Sequence, residues 1–118
     1  MFKFFRVHRE YKEVIKESQI LIEQSKFREI EEWEVNYMME KLKTTLDKCI
    51  DASLPNDAGL LLVNAAMLSS IHENGIIVTE ESYVDNLRFF QVKMMNASSM
   101  QERLAYQQAI KYWESAIK

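Results

Sequence analysis

The chain has 118 residues, 47% of them hydrophobic, 11% aromatic and 28% charged, with a formal net charge of -3; this is the profile of one globular domain, neither disordered nor fibrous. Two glycines and one proline are too few for folds built from many tight turns, which excludes most sandwiches and barrels. The acid excess argues against non-specific nucleic-acid binding, which rests on Lys and Arg neutralising phosphates. That charge is unevenly spread: residues 1–28 hold seven Lys/Arg against four Glu, and residues 29–60 hold three Lys against eight Asp/Glu.

Before Pro55 lie 54 residues with neither Gly nor Pro. As one helix they would span about 81 Å, several times the radius of gyration of about 13 Å expected of a domain this size, so the segment folds back. Gln24, Ser25 and Lys26 mark the break, with Ser25 as the N-cap of the following helix. A first helix is predicted over residues 5–24, where Tyr11, Val14, Ile15, Ser18, Leu21 and Ile22 recur at helical steps. A second is predicted over residues 26–52, with Val35, Met38, Met39, Leu42, Leu46, Cys49 and Ile50 on its inner face and Ile30, Trp33 and Tyr37 broadening that face at its start.

Residues 53–57 combine Ser, Pro, Asn and Asp and read as a loop, with Asn56 or Asp57 capping the third helix. That helix, residues 58–74, is apolar almost all round and is expected to be the central one. Its Ala65, Ala66, Ser69 and Ser70 are small enough for neighbouring helices to approach closely. Asn74, Gly75 and Ile76 fit a Schellman stop. Ile76, Ile77 and Val78 read as a short strand or an extended connection; as a strand, residues 2–7 are the partner for a minor two-stranded ribbon. Thr79 caps a fourth helix with Glu80 and Glu81 in its first turn, and Tyr83, Leu87, Phe90 and Met94 form its inner face. Residues 96–99 break it, and Ser99 with Glu102 matches a capping box for a fifth helix carrying Tyr106, Ile110, Trp113 and Ile117. The expected architecture is a single all-α domain of four to five helices over residues 1–118.

Chemistry is sparse. Cys49 is the only cysteine, so no disulfide framework or thiolate zinc site is expected, and a reducing, cytoplasmic setting fits. Its expected role is that of a small buried hydrophobe. No apolar stretch reaches the 18 or so residues of a membrane span. His8 and His72 have no helical partner at metal-ligand spacing, and phosphate loops lack the glycines they need.

Glu29, Glu31, Glu32 and Glu34 crowd the start of the second predicted helix, giving the i,i+3 pairs Glu29 with Glu32 and Glu31 with Glu34. With Trp33 they form the candidate partner-binding surface, part of an acidic face over residues 29–40. The leading expectation is a non-enzymatic protein-binding module, such as a small inhibitor, immunity-type or adaptor protein, that meets a basic protein partner there and uses no cofactor or metal. One alternative is an all-helical magnesium-dependent nucleotide hydrolase using the Glu pairs, with Glu80, Glu81 and Asp85 as the facing acids. Another is a nucleic-acid-binding accessory using Lys3, Arg6, Arg9, Lys12 and Lys16 with the interleaved Phe2, Phe4 and Phe5. The methionines suggest core filling, or an adaptable groove near Met94, Met95, Tyr106, Tyr112 and Trp113.

Overall fold

Helical periodicity carries through to space as five α-helices in a computed structural model, which describes residues 2–74 and 79–117. They are α1 (Phe2–Gln24), α2 (Glu32–Asp51), α3 (Pro55–Asn74), α4 (Glu80–Met95) and α5 (Met100–Ile117). The described residues contain no strand, and no helix among them is long and apolar enough to cross a membrane. Residues 2–7, the expected partner of a ribbon, belong to α1; residues 76–78 and the expected stop at Gly75 lie outside the described residues.

The first two helices do not meet at Ser25. Its hydroxyl donates back to the Ile22 carbonyl, so it closes α1 instead of capping α2. The chain then turns through residues 25–28, and α2 begins six residues later than the apolar stripe suggested, with Glu31 as its N-cap. Between α2 and α3 the chain needs only three residues. Leu54 N–H donates to the Cys49 carbonyl (2.9 Å) and Ser53 N–H to the Ile50 carbonyl (3.1 Å), which is the Schellman pattern, with Ser53 in the left-handed conformation at φ 58°. Pro55 then opens α3, because the first helical position has no use for an amide hydrogen. This moves Asp57 from the expected cap into the first turn.

Thr79 caps α4 as expected: its hydroxyl accepts from Ser82 N–H at 3.0 Å, and Ser82 Oγ accepts from Thr79 N–H at 2.9 Å. At α5 half of the expected box forms. Ser99 Oγ accepts from Glu102 N–H at 3.1 Å, while the Glu102 carboxylate takes its hydrogen bond from Ser98.

The helices enclose one core, with a radius of gyration of 13.8 Å. α3 packs on α5, α2 and α1, whereas α4 is held chiefly by α5. α3 and α5 cross closely at Gly59, where a Cβ would lie 2.6 Å from Gln108 Cβ and 2.9 Å from the Ala109 backbone nitrogen; Ala58, Ala105 and Ala109 are fully buried around it. α1 is locked to α3 by a buried polar pair, in which Asn64 Nδ2 donates to Ser18 Oγ (2.8 Å) and Ser18 donates to the Ile15 carbonyl (3.0 Å).

Candidate functional site

The glutamates singled out in the sequence divide once the start of α2 is placed. Glu29 lies in the connecting segment, so its i,i+3 relation to Glu32 is not a helical one. Glu31 and Glu34 are spent on the helix start: the Glu34 carboxylate accepts from Glu31 N–H at 2.9 Å and takes both guanidinium nitrogens of Arg28, at 2.9 and 2.6 Å. The Arg28 hydrogen bond first, and the Glu31 amide second, pull the Glu34 pKa down from 4.5 to about 2. The Glu31 carboxylate accepts from the Trp33 indole nitrogen. The paired acids of the hydrolase alternative are therefore a loop residue (Glu29), a capping residue (Glu31), the exposed first residue of α2 (Glu32) and an arginine partner (Glu34). Among the described residues no group of three or more His, Cys, Asp or Glu is placed to hold a metal ion.

What the hairpin of α1 and α2 does present is apolar surface. Phe27 is 87% exposed, Trp33 65%, Tyr37 57% and Ile20 49%. Ile20, Trp33 and Tyr37 line one shallow depression, Ile20 and Phe27 line a second, and both share Gln24, so the four side chains form one continuous patch. The geometry follows from the connection: a tight turn after α1 turns Phe27 outward, and the late start of α2 puts Trp33 in its first turn, pointing away from the core. Exposed Glu31, Glu32 and Glu23 flank the patch, and Lys41, bonded to Glu17 at 2.9 Å, sits 5.0 Å from the centre of the Tyr37 ring. Glu29 faces a different hollow, shared with Arg28, Ile30, Ile71 and His72.

The basic residues of α1 are exposed, and acids dilute them in space as they do in sequence. Lys3 pairs with Asp51 at 2.7 Å, and Glu10 and Glu17 bring Lys48 and Lys41 alongside, each at 2.9 Å. His8 Nδ1 lies 2.6 Å from Asp57 Oδ2, and its ring stacks on Tyr11 with centroids 5.5 Å apart. Burial, with Asp57 behind it, lifts the Tyr11 phenol to about 12. Burial also lifts the Cys49 thiol to about 12, so this fully buried sulfur is protonated and unreactive at neutral pH.

Of the residues expected to line an adaptable groove, Tyr106 does so and Trp113 does not. Trp113 is fully buried, stacked on Tyr83 with centroids 5.9 Å apart, and it bonds α5 to α4. A groove of about 690 Å³ opens instead between α2 and α4, with α3 as its floor and Tyr106 on its wall. Compared with family models, curated proteins and solved structures, the chain matches none.

Proposed function

We propose that the chain is a non-enzymatic protein-binding module of the inhibitor, immunity or adaptor kind, acting in a reducing cytosol, and that the Trp33 patch is where it meets a basic protein partner. The observation that supports this reading is the continuity of Ile20, Phe27, Trp33 and Tyr37, which lie side by side on the α1–α2 hairpin and include Phe27, the most exposed of the large hydrophobics among the described residues; Phe5, Met95 and Met100 are exposed on other parts of the molecule. Contiguous apolar surface of this kind, rimmed by charge, marks interaction sites, and Trp and Tyr are the side chains most often found to dominate them. Glu31 and Glu32 supply negative charge beside Trp33, while Lys16 borders the Phe27 side, Lys26 pairs with Glu23 and Lys41 stands by Tyr37, so the basic partner is read from the Trp33 end of the patch. Glu34 contributes through Arg28 by fixing the helix start, and it is not free to pair with a partner.

The test is calorimetric titration with a partner captured from the source cell and then purified. Trp33→Ala is expected to weaken binding about 30-fold or more, the effect of losing a central aromatic anchor. Charge reversal at Glu31 and Glu32 is expected to slow association, and more so at low salt. Unchanged affinity in both Trp33→Ala and Phe27→Ala would overturn the reading, as would a partner whose contacting surface is acidic.

A further inference from the structure

The groove between α2 and α4 lies away from the Trp33 patch and stands on different observations. It exists because α4 leans on α5 and does not close against α2. Its floor runs along α3 from Leu61 to Glu73, twelve helical steps and therefore about 18 Å. Ala65, Ala66, Ser69 and Ser70 keep that floor low, while Met39 and Leu46 of α2 face Phe89 and Phe90 of α4 across it. A volume of about 690 Å³ with mainly apolar walls and a few polar groups is the build of a small-molecule site.

The polar groups are sorted by position and by kind. α3 runs antiparallel to both neighbours, so its last turn, the first turns of α4 and the first half of α2 meet at one end of the groove. Glu73, Asp85 and Glu40 line that end, and among the described residues none of them has a cation in ion-pair contact; Lys43 is the one cationic side chain on the lining. Asn86 adds to the same bias. Its amide nitrogen donates to Ser70 Oγ at 3.1 Å and to the Ser82 carbonyl at 2.9 Å. One amide hydrogen thus ties α4 to the end of α3 and the other bonds back within α4, so both are committed and Oδ1 is left as an acceptor. The Ser82 hydroxyl hydrogen is likewise spent, on the Thr79 carbonyl at 3.0 Å. Asn36, Ser69 and Ser70 also line the groove with neutral polar groups, but the charge at that end comes from three carboxylates, so the trough complements a ligand with an apolar body and a terminal cation.

We propose that this groove binds a small amphiphilic ammonium ion, an alkyl or arylalkyl amine, with its hydrocarbon over Ala65 and Ala66 between Met39 and Phe89 and its ammonium group at the Glu73, Asp85 and Asn86 end. A primary ammonium carries three donors and no acceptor, which matches what that end offers. An anionic amphiphile of the same length would place its charge against three carboxylates, or abandon the apolar floor to reach Lys43.

Titration of the full chain with n-octylammonium, followed through amide chemical shifts, tests this directly. Saturable shifts centred on Ala65, Ser69, Asn86 and Phe89 are expected, with n-hexylammonium about tenfold weaker for its two missing methylenes and octanoate weaker than octylammonium by about tenfold or more. The double variant Glu73→Gln with Asp85→Asn, which changes only rim carboxylates, is expected to weaken octylammonium about tenfold and to remove its advantage over octanoate. Ala66→Leu is expected to raise the floor and block both probes; if that variant does not fold, the rim variant decides alone. Equal affinity for octanoate and octylammonium, shifts centred away from the groove, or no saturation would overturn the proposal. None of these outcomes bears on the Trp33 patch, whose test uses a different variant and a protein ligand.

Discussion

The attachment of α4 gives the sharpest quantitative expectation, because it runs through one side chain. Trp113 is fully buried, stacks on Tyr83 at 5.9 Å with the rings 11° apart, meets Phe90 edge-on at 6.0 Å, and donates its indole hydrogen to the Tyr83 carbonyl at 3.0 Å. Trp113→Ala removes all of this and leaves a cavity, at a cost of about 3–5 kcal/mol, a large part of the roughly 5–15 kcal/mol that holds a domain folded. Trp113→Phe keeps an aromatic ring against Tyr83 and Phe90 but loses the donor and some volume, and is expected to cost about 1–2 kcal/mol. Since α4 is held chiefly by α5, the loss in the milder variant is expected as a sub-global opening. Amides of Leu87 and Phe90 in α4 should exchange with solvent markedly faster, while those of Leu61 and Leu68 in α3 change little. Urea denaturation supplies the total cost and amide hydrogen exchange its distribution. Equal acceleration in α3 and α4 would refute the reasoning, as would a Trp113→Phe variant within about 0.5 kcal/mol of the parent.

Three further outcomes are expected. Ser53→Gly relieves a left-handed backbone at a Schellman stop and should stabilise the protein by about 0.5–1 kcal/mol in urea denaturation, a loss of stability being the contrary result. Gly59→Ala gains helix propensity worth about 1 kcal/mol, but its Cβ would stand 2.9 Å from the Ala109 backbone nitrogen; the α3–α5 crossing must then open, giving a net loss of about 1 kcal/mol or more and a lower Tm by circular dichroism. Glu34→Gln tests the helix start by pH. The folded-state pKa of about 2 lies below the ordinary 4.5, so the Glu34 contribution is complete above about pH 4.5 and is lost as the pH falls towards about 2. The stability gap between parent and variant should therefore close over that window, and a gap independent of pH would count against the Arg28 pairing.

Much of the fold was legible in the sequence because burial follows helical period. Val35, Met38, Leu42 and Cys49 repeat at three, four and seven residues and are the buried face of α2, and the hydroxyls of Thr79 and Ser99 cap the helices they precede. The misplacements share one physical reason, that local chemistry was decided by distant partners or by a choice between two local bonds. Ser25 can cap forward or bond backward, and it bonds backward to Ile22. Glu31 becomes a cap because Arg28 anchors the Glu34 that completes it, and nothing in helical periodicity marks Arg28 for that task. Trp33 and Tyr37 read as broadening the inner face of the second helix, and Trp33 also as part of the candidate surface. Both face solvent, and the inner-face reading fails because α2 starts late, with Trp33 in its first turn, while Phe27 and Ile20 join that surface only once the turn between α1 and α2 has a geometry.

The small residues of α3 show where sequence reasoning stops. Ala65, Ala66, Ser69 and Ser70 read as places for a neighbouring helix to come close, and the same can be said of Gly59 one and a half turns earlier. In space the two sets part. At Gly59 a helix does come down, and the α5 backbone stands where a Cβ would be. Over Ala65 and Ala66 none does, since α4 follows α5 and α2 keeps to the other side, and the same smallness becomes depth beneath a groove. A short side chain lowers the surface above it whatever comes to fill the space. Which of the two it serves is set by where the next helix is anchored, here by Trp113 more than forty residues further along the chain.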